Sequence, residues 1–126
     1  MNVKTVWTIK SNEEMEKLRM QAERLFPKVL DMGELERTSD FFMGLSDATR
    51  LKIISLLWME DMCMCELVEV LGGASSTITH HLRIMERGGL IGARKDGKFT
   101  IYHLNKEIII PIIPYLGGGH GENFGE

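Results

Sequence analysis

Apolar positions recur every three or four residues along most of this chain, and that spacing predicts a run of helices. From Ser11 or Asn12, either of which suits a cap, Met15, Leu18, Ala22, Leu25 and Val29 share one helical face among charged neighbours. Gly33 is expected to end that helix and Pro27 to bend it. Ahead of it, Val3, Trp7 and Ile9 alternate loosely, as in a short strand or an ordered arm. A second helix is predicted from about Glu34 to Gly44, with Leu35, Phe41, Phe42 and Leu45 on its apolar side. Ser46 and Asp47 then cap a third, Ala48 to about Met59. In it Leu51, Ile53, Ile54, Leu56, Leu57 and Trp58 cover most of the circumference, which marks it as the centre of the core.

The pattern changes after Asp61. A short helix to Leu71 offers Leu67, Val68 and Leu71 on one face, and Gly72-Gly73 forces a tight turn. In the next helix, Ser75 to Gly88, the stripe Ile78, Leu82 and Met85 opposes a stripe of Ser76, Thr79, His80 and Arg83. One face is built for a core and the other for a polar partner. Leu90 to Arg94 and Phe99 to Leu104 read as two strands around Lys95-Asp96-Gly97-Lys98, a basic hairpin tip in which Asp-Gly favours positive φ. Pro111 and Pro114 interrupt what would otherwise be a helix from Asn105 to Leu116, ahead of a Gly-rich tail.

Composition narrows the class. The 126 residues, 44% hydrophobic and 26% charged, match an ordinary globular domain and exclude a disordered tail, a collagen-like repeat and a disulfide scaffold. The apolar run Ile108 to Leu116 is far short of the ~20 residues a membrane span needs. No secretory pattern opens the chain, so a cytoplasmic, reducing location is expected, where two cysteines read as ligand or sensor before bridge. The net charge is −3, yet residues 75–103 carry Arg83, Arg87, Arg94, Lys95 and Lys98 against only Glu86 and Asp96. A basic quarter in an acidic chain is the footprint of a surface that meets phosphate, or else a solvated face with a chance excess of cations.

The order of short helix, glycine turn, polar-faced helix and basic hairpin is that of a winged helix-turn-helix, mostly α with a small β-hairpin wing and expected to be dimeric. The second helix can enter a major groove. Ser75, Ser76, Thr77, Thr79, His80 and Arg83 are the candidate groove contacts, and Arg94, Lys95 and Lys98 the candidate backbone contacts of the wing. Adjacent helical residues point about 100° apart, so His80 belongs to the outer stripe while His81, beside Ile78 and Met85, reads as a hydrogen-bonded structural histidine. The same fold also occurs in modules that bind only proteins, and that reading remains open. For an enzyme there is no Gly-rich phosphate loop, no paired catalytic carboxylates and no nucleophile motif.

Three stretches carry a resemblance: Gly44-Leu45-Ser46-Asp47-Ala48-Thr49-Arg50-Leu51-Lys52-Ile53, Met62-Cys63-Met64-Cys65-Glu66-Leu67, and Ser76-Thr77-Ile78-Thr79-His80-His81-Leu82. Over about residues 34–105 the chain resembles the ArsR/SmtB family of metal- and metalloid-responsive repressors. The resemblance implies a homodimeric repressor that leaves a palindromic operator when an inducer binds. Ala48 stands where the family often has Pro, and Ala74-Ser75 where it has Ser-Gln, so a base-reading glutamine is missing. The resulting organisation is an extension with an added helix (1–33), the DNA-binding domain (34–105) and an apolar dimerisation segment with a tail (106–126). In that last segment Ile108, Ile109, Ile110, Ile112 and Ile113 suit a dimer seam.

Cys63-Met64-Cys65 is the most distinctive chemistry. Inside a helix the two thiols would point about 200° apart, so they can share an ion only if Cys63 precedes the helix. A helix N-terminus is also expected to lower a thiol pKa. The resemblance implies a site for arsenite, antimonite, cadmium, lead or zinc at Cys63 and Cys65, and copper(I) is a further soft ion that two thiolates suit. Some family members place a third cysteine where Val68 stands, and others draw cysteines from an N-terminal arm that here has none. A redox switch forming intersubunit disulfides and a vestigial packed pair are the alternatives. The family's second site, on the last helix, is expected to be absent, since only His120 and Glu122 remain beyond the prolines.

Overall fold

The computed structural model describes residues 6–117. Its elements run α1 (Asn12–Leu25), a 3₁₀ turn (Pro27–Leu30), α2 (Met32–Leu45), α3 (Ala48–Met59), β1 (Met62–Cys63), α4 (Met64–Leu71), α5 (Ser75–Arg87), β2 (Ile91–Asp96), β3 (Phe99–Leu104), α6 (Lys106–Ile109), a second 3₁₀ turn (Ile110–Ile112) and α7 (Ile113–Leu116). The chain divides into two units, one ending at Glu36 and the other beginning at Arg37.

In the first unit Ser11 caps α1 reciprocally. Its hydroxyl accepts the Glu14 N–H at 3.1 Å, and the Glu14 carboxylate accepts the Ser11 N–H at 2.8 Å. Arg19 pairs with Glu16 and Glu23 on the polar side. The helix stops at Leu25 rather than at Gly33, because the ring of Pro27 excludes a helical conformation at Phe26, whose φ is −128° and ψ 69°. Gly33 instead falls in the first turn of α2. Trp7 and Ile9 lie in irregular backbone and not in a strand, and Val3 lies outside the described residues.

The second unit is organised around α3. Asp47 is its N-cap, and its carboxylate accepts the N–H groups of Thr49 (2.8 Å) and Arg50 (3.3 Å). Burial works to raise the Asp47 pKa, but those two N–H groups and the nearby Arg50 cation outweigh it and hold the carboxyl below its usual range. Ile53, Ile54 and Leu57 of α3 are buried against Leu67 of α4 and Ile78, Leu82 and Met85 of α5. Leu90, Ile91, Tyr102 and Leu104 close the core from the sheet side.

The sheet is antiparallel in the order β1-β3-β2, with Cys63 opposite Ile101 and Asp96 opposite Phe99. The hairpin loop is therefore Gly97-Lys98. Only Gly97 has positive φ, 61°, so the loop places glycine first, as a type II′ turn does. β1 has two residues, too few to show in any periodicity. His103 lies across from Gly92, where any Cβ would meet its ring.

Two further sequence expectations change. Phe42 is 58% exposed, while Phe41 and Leu45 make the inward contacts of α2. Of the five isoleucines near the end, Ile109 and Ile113 are buried in this chain's own core and Ile112 packs against it, leaving Ile108 and Ile110 exposed. Pro111 and Pro114 do break the final helix into short pieces. His120, Glu122 and the Gly-rich tail lie outside the described residues.

The end of α5 crosses α2 at Gly88, where an added Cβ would collide with the backbone carbonyl of Asp40. That carbonyl cannot yield as a side chain could. Gly88→Ala should destabilise the chain by about 1–3 kcal/mol, the usual cost of overpacking. A thermal melt showing an unchanged midpoint would contradict this close crossing.

Candidate nucleic-acid interface and thiol pair

α4 ends at Gly72, whose φ of 73° turns the chain toward α5. Burying Ile78, Leu82 and Met85 turns Ser76, His80 and Arg83 outward on the opposite side of α5, and Ser75 and Thr77, in its first turn, are exposed as well. Arg87 extends the row by one turn. Thr79 differs. It is half-buried, its hydroxyl donates to the Ser75 carbonyl at 2.8 Å, and it lies 3.8 Å from Met64 Sδ, leaning toward α4.

On the wing, Lys95 and Lys98 are exposed; Lys95 Nζ donates to Thr100 Oγ1 at 3.3 Å, and Lys98 Nζ sits 5.5 Å from the Phe99 ring centre. Arg94 is held instead by Asp61, its guanidinium donating at 3.0 Å. That carboxylate stands just ahead of β1. It competes with any phosphate for the same cation.

Beneath the outer row lies a buried cation that stands out in the sequence only as part of the Gly44–Ile53 stretch. Arg50, 6% exposed, donates through one terminal nitrogen to His81 Nδ1 and through the other to the Met43 carbonyl, each at 3.0 Å. A guanidinium has no acceptor, so Nδ1 of His81 must be the unprotonated ring nitrogen. His81 also stands 3.8 Å from the Asp47 carboxylate. The two adjacent histidines thus separate as helical geometry requires: His80 faces solvent and His81 ties α5 to α2 and α3.

Cys63 ends β1 and caps α4, with extended φ of −87° and ψ of 168°. Because it precedes the helix, its thiol swings round to meet that of Cys65, and the two sulfurs stand 3.0 Å apart. The Glu66 carboxylate accepts the Cys63 N–H at 2.9 Å and fixes the turn. Cys63 is buried and Cys65 exposed. The expected lowering of the thiol pKa does not occur at Cys63. Its hydrogen bond with Cys65 pushes it up, the Glu66 N–H pulls the other way, and burial adds to the rise. Among the described residues no group of three or more His, Cys, Asp or Glu converges on one point, so a soft ion finds these two sulfurs as its protein donors. The thiols open into a cavity of about 550 Å³ that also touches Ser75 at the head of α5 and Lys98, Phe99 and Thr100 of the wing.

The arsR family of bacterial regulatory proteins has a sequence pattern that matches residues 47–92. An uncharacterised helix-turn-helix transcriptional regulator of Methanocaldococcus jannaschii is 34% identical over 65% of this chain and 93% of its own length. The chain belongs to the ArsR family. This ArsR-family protein is a DNA-binding transcriptional regulator and not an enzyme. It is also 38% identical to the cadmium resistance regulatory protein CadC of Listeria innocua, over 63% of this chain and 66% of that relative. In fold it matches a homodimeric winged helix-turn-helix DNA-binding domain of Mycobacterium bovis, with a TM-score of 0.60 at 19% identity, covering 73% of this chain and 93% of that one. No helix among the described residues is long and apolar enough to cross a membrane.

Because Asp61 occupies Arg94, Asp61→Asn should tighten binding to duplex DNA of any sequence and steepen its salt dependence by about one unit of log K per log salt. Lys95→Ala with Lys98→Ala should flatten that slope by about two. Fluorescence anisotropy across a salt series measures both, and an Asp61→Asn slope equal to wild type would contradict the competition.

Proposed function

We propose that this regulator is a repressor that binds a palindromic operator as a symmetric dimer and is released when a soft metal or metalloid ion joins Cys63 to Cys65. The observation that carries the reading is the 3.0 Å separation of two thiols in a cavity bordered by both DNA-facing elements. In this reading Ser75, Ser76, Thr77, His80 and Arg83 face the groove, with Thr79 supporting the first turn of α5 from the α4 side. Arg94, Lys95 and Lys98 meet the backbone beside it. The relation to a cadmium resistance regulator supports a soft inducer. The exposed apolar side chains Met15, Leu18 and Leu25 of α1, and separately Ile108, Ile110 and Tyr115 near the end, are the surfaces offered for pairing.

Coupling follows from position. Two recognition helices must lie about 34–36 Å apart to read successive turns of one duplex face. Cys63 and Cys65 open α4, which hands the chain to α5 through Gly72-Gly73, so ligation at the thiols changes the base on which α5 rests. An ion does this only by binding the DNA-free arrangement more tightly.

With both cysteines replaced by serine, which caps a helix well, the protein should retain its affinity for an operator selected from a random library yet no longer dissociate on adding cadmium(II) or arsenite. Release by the double variant in an anisotropy titration would overturn the sensor assignment. Cadmium(II) displaces a proton from each thiol, and Cys63 holds its proton to higher pH than an ordinary thiol. Its association constant should therefore climb by about two log units per pH unit from neutrality until the thiols ionise. A flat profile between pH 6 and about 8 would contradict thiolate ligation.

A further inference from the structure

The buried Arg50 has two partners for its side chain, and one of them can titrate. Nη1 donates to His81 Nδ1 and Nη2 to the Met43 carbonyl, each at 3.0 Å, while Nε is buried without a partner. The bond to His81 requires a bare Nδ1, because a guanidinium can only donate. A proton arriving there from solvent turns the acceptor into a donor and sets a second positive charge against a cation that is 6% exposed. The ring then has one alternative partner. The Asp47 carboxylate stands 3.8 Å from the same Nδ1, and a short swing of the imidazole lets it accept the new N–H. His81 is thus placed between a cation that holds it while neutral and an anion that takes it when charged. Both of these face it from α3; α2 contributes the Met43 carbonyl, on Arg50 rather than on the ring, and on α5 the neighbouring His80 points to solvent with its ring centre 6.0 Å away.

We propose that Arg50 and His81 are positioning residues that hold α5 at its DNA-binding angle only while His81 is neutral, so that acidification releases the regulator from DNA. This rests on α5 being the DNA-reading helix. That helix is fixed to α2 near its end, where Gly88 lies against the Asp40 carbonyl, and to α2 and α3 two turns earlier through His81 and Arg50. With the earlier tie undone, α5 can pivot about Gly88, and Ser76, His80 and Arg83 lose the fixed direction that docking in a groove demands. The DNA-bound form excludes the proton at Nδ1 and the released form takes it up. Affinity therefore falls as pH falls, by the release of up to one proton per protomer on binding. His80 acts in the opposite sense, since its protonation adds a cation to the row that meets phosphate and strengthens binding in acid. The proton acts on α5 from the α3 side and needs neither thiol.

The test measures binding of the full-length reduced protein to an operator selected from a random library, by fluorescence anisotropy at constant ionic strength, from about pH 8 to about pH 5.5. A His80→Gln background removes the opposing histidine. In it the association constant should fall by about tenfold or more across that span. Adding His81→Asn, whose amide oxygen replaces Nδ1 as an acceptor that does not titrate, should keep the affinity seen at the alkaline end and leave less than about a threefold change. In isotope-labelled protein without DNA, the imidazole nitrogen signals of His81 should show the proton on Nε2 at the alkaline end, and their titration should coincide with the inflection in affinity. Circular dichroism should stay constant throughout. An affinity that is flat or rises on acidification in the His80→Gln protein, an equal fall with His81→Asn, or a loss of helical signal in step with affinity would overturn the proposal. Binding that ignores pH removes the proton effect and leaves α5 as the reading helix, whereas no duplex binding at any pH removes both.

Discussion

The pairing of Cys63 with Ile101, at the last extended residue before α4, is the constraint on which the site depends. It holds Cys63 outside the helix, and so lets two thiols that a continuous helix would point apart stand 3.0 Å from each other. The same ladder joins the opening of α4 to the central strand of the wing. A two-residue strand thereby makes the helix-turn-helix and the hairpin one mechanical unit, with sulfur chemistry at their junction. Shifting that register by one residue would turn Cys63 to the other face of the sheet and dissolve the pair.

A second constraint sets which face of α5 points outward. Three buried apolar side chains orient the helix, but such a stripe tolerates small rotations. Arg50 removes that freedom by reaching His81 and the Met43 carbonyl together. Its remaining nitrogen, Nε, is buried without a hydrogen-bond partner, so the cation is held by two directional contacts in a place where losing either would leave charge uncompensated. The outward row of Ser76, His80 and Arg83 is the other side of this inward knot. The Arg94–Asp61 pair works at the surface, keeping one wing cation occupied while Lys95 and Lys98 remain accessible.

Much of this architecture can be read from the chain alone, for physical reasons that differ by element. α3 and α5 are legible because burial imposes a 3.6-residue period, and the hairpin because Gly97 marks its turn. The break before α4 follows from asking what geometry lets Cys63 and Cys65 cooperate. Other features carry no local signal. β1 is too short for a period, and its existence depends on a partner strand far along the chain. α1 ends at Leu25 because the restraint exerted by Pro27 on Phe26 outweighs the more familiar stop at Gly33. Arg50 could have been singled out as the cation within an otherwise apolar helix, but its partner His81 is distant in sequence. The cavity wall from Val68, Phe99 and Tyr102 is likewise assembled from three elements and emerges only in the fold.

The central proposal is that ligation at the Cys63–Cys65 junction is felt by both α5 and the wing. Hydrogen–deuterium exchange of the full-length protein, with and without one equivalent of cadmium(II), tests this most directly. The account predicts altered protection at the head of α4, across Phe99 to Tyr102 and in the first turn of α5, all absent when both cysteines are serine. Stoichiometric binding that leaves the wing and α5 unchanged would contradict it.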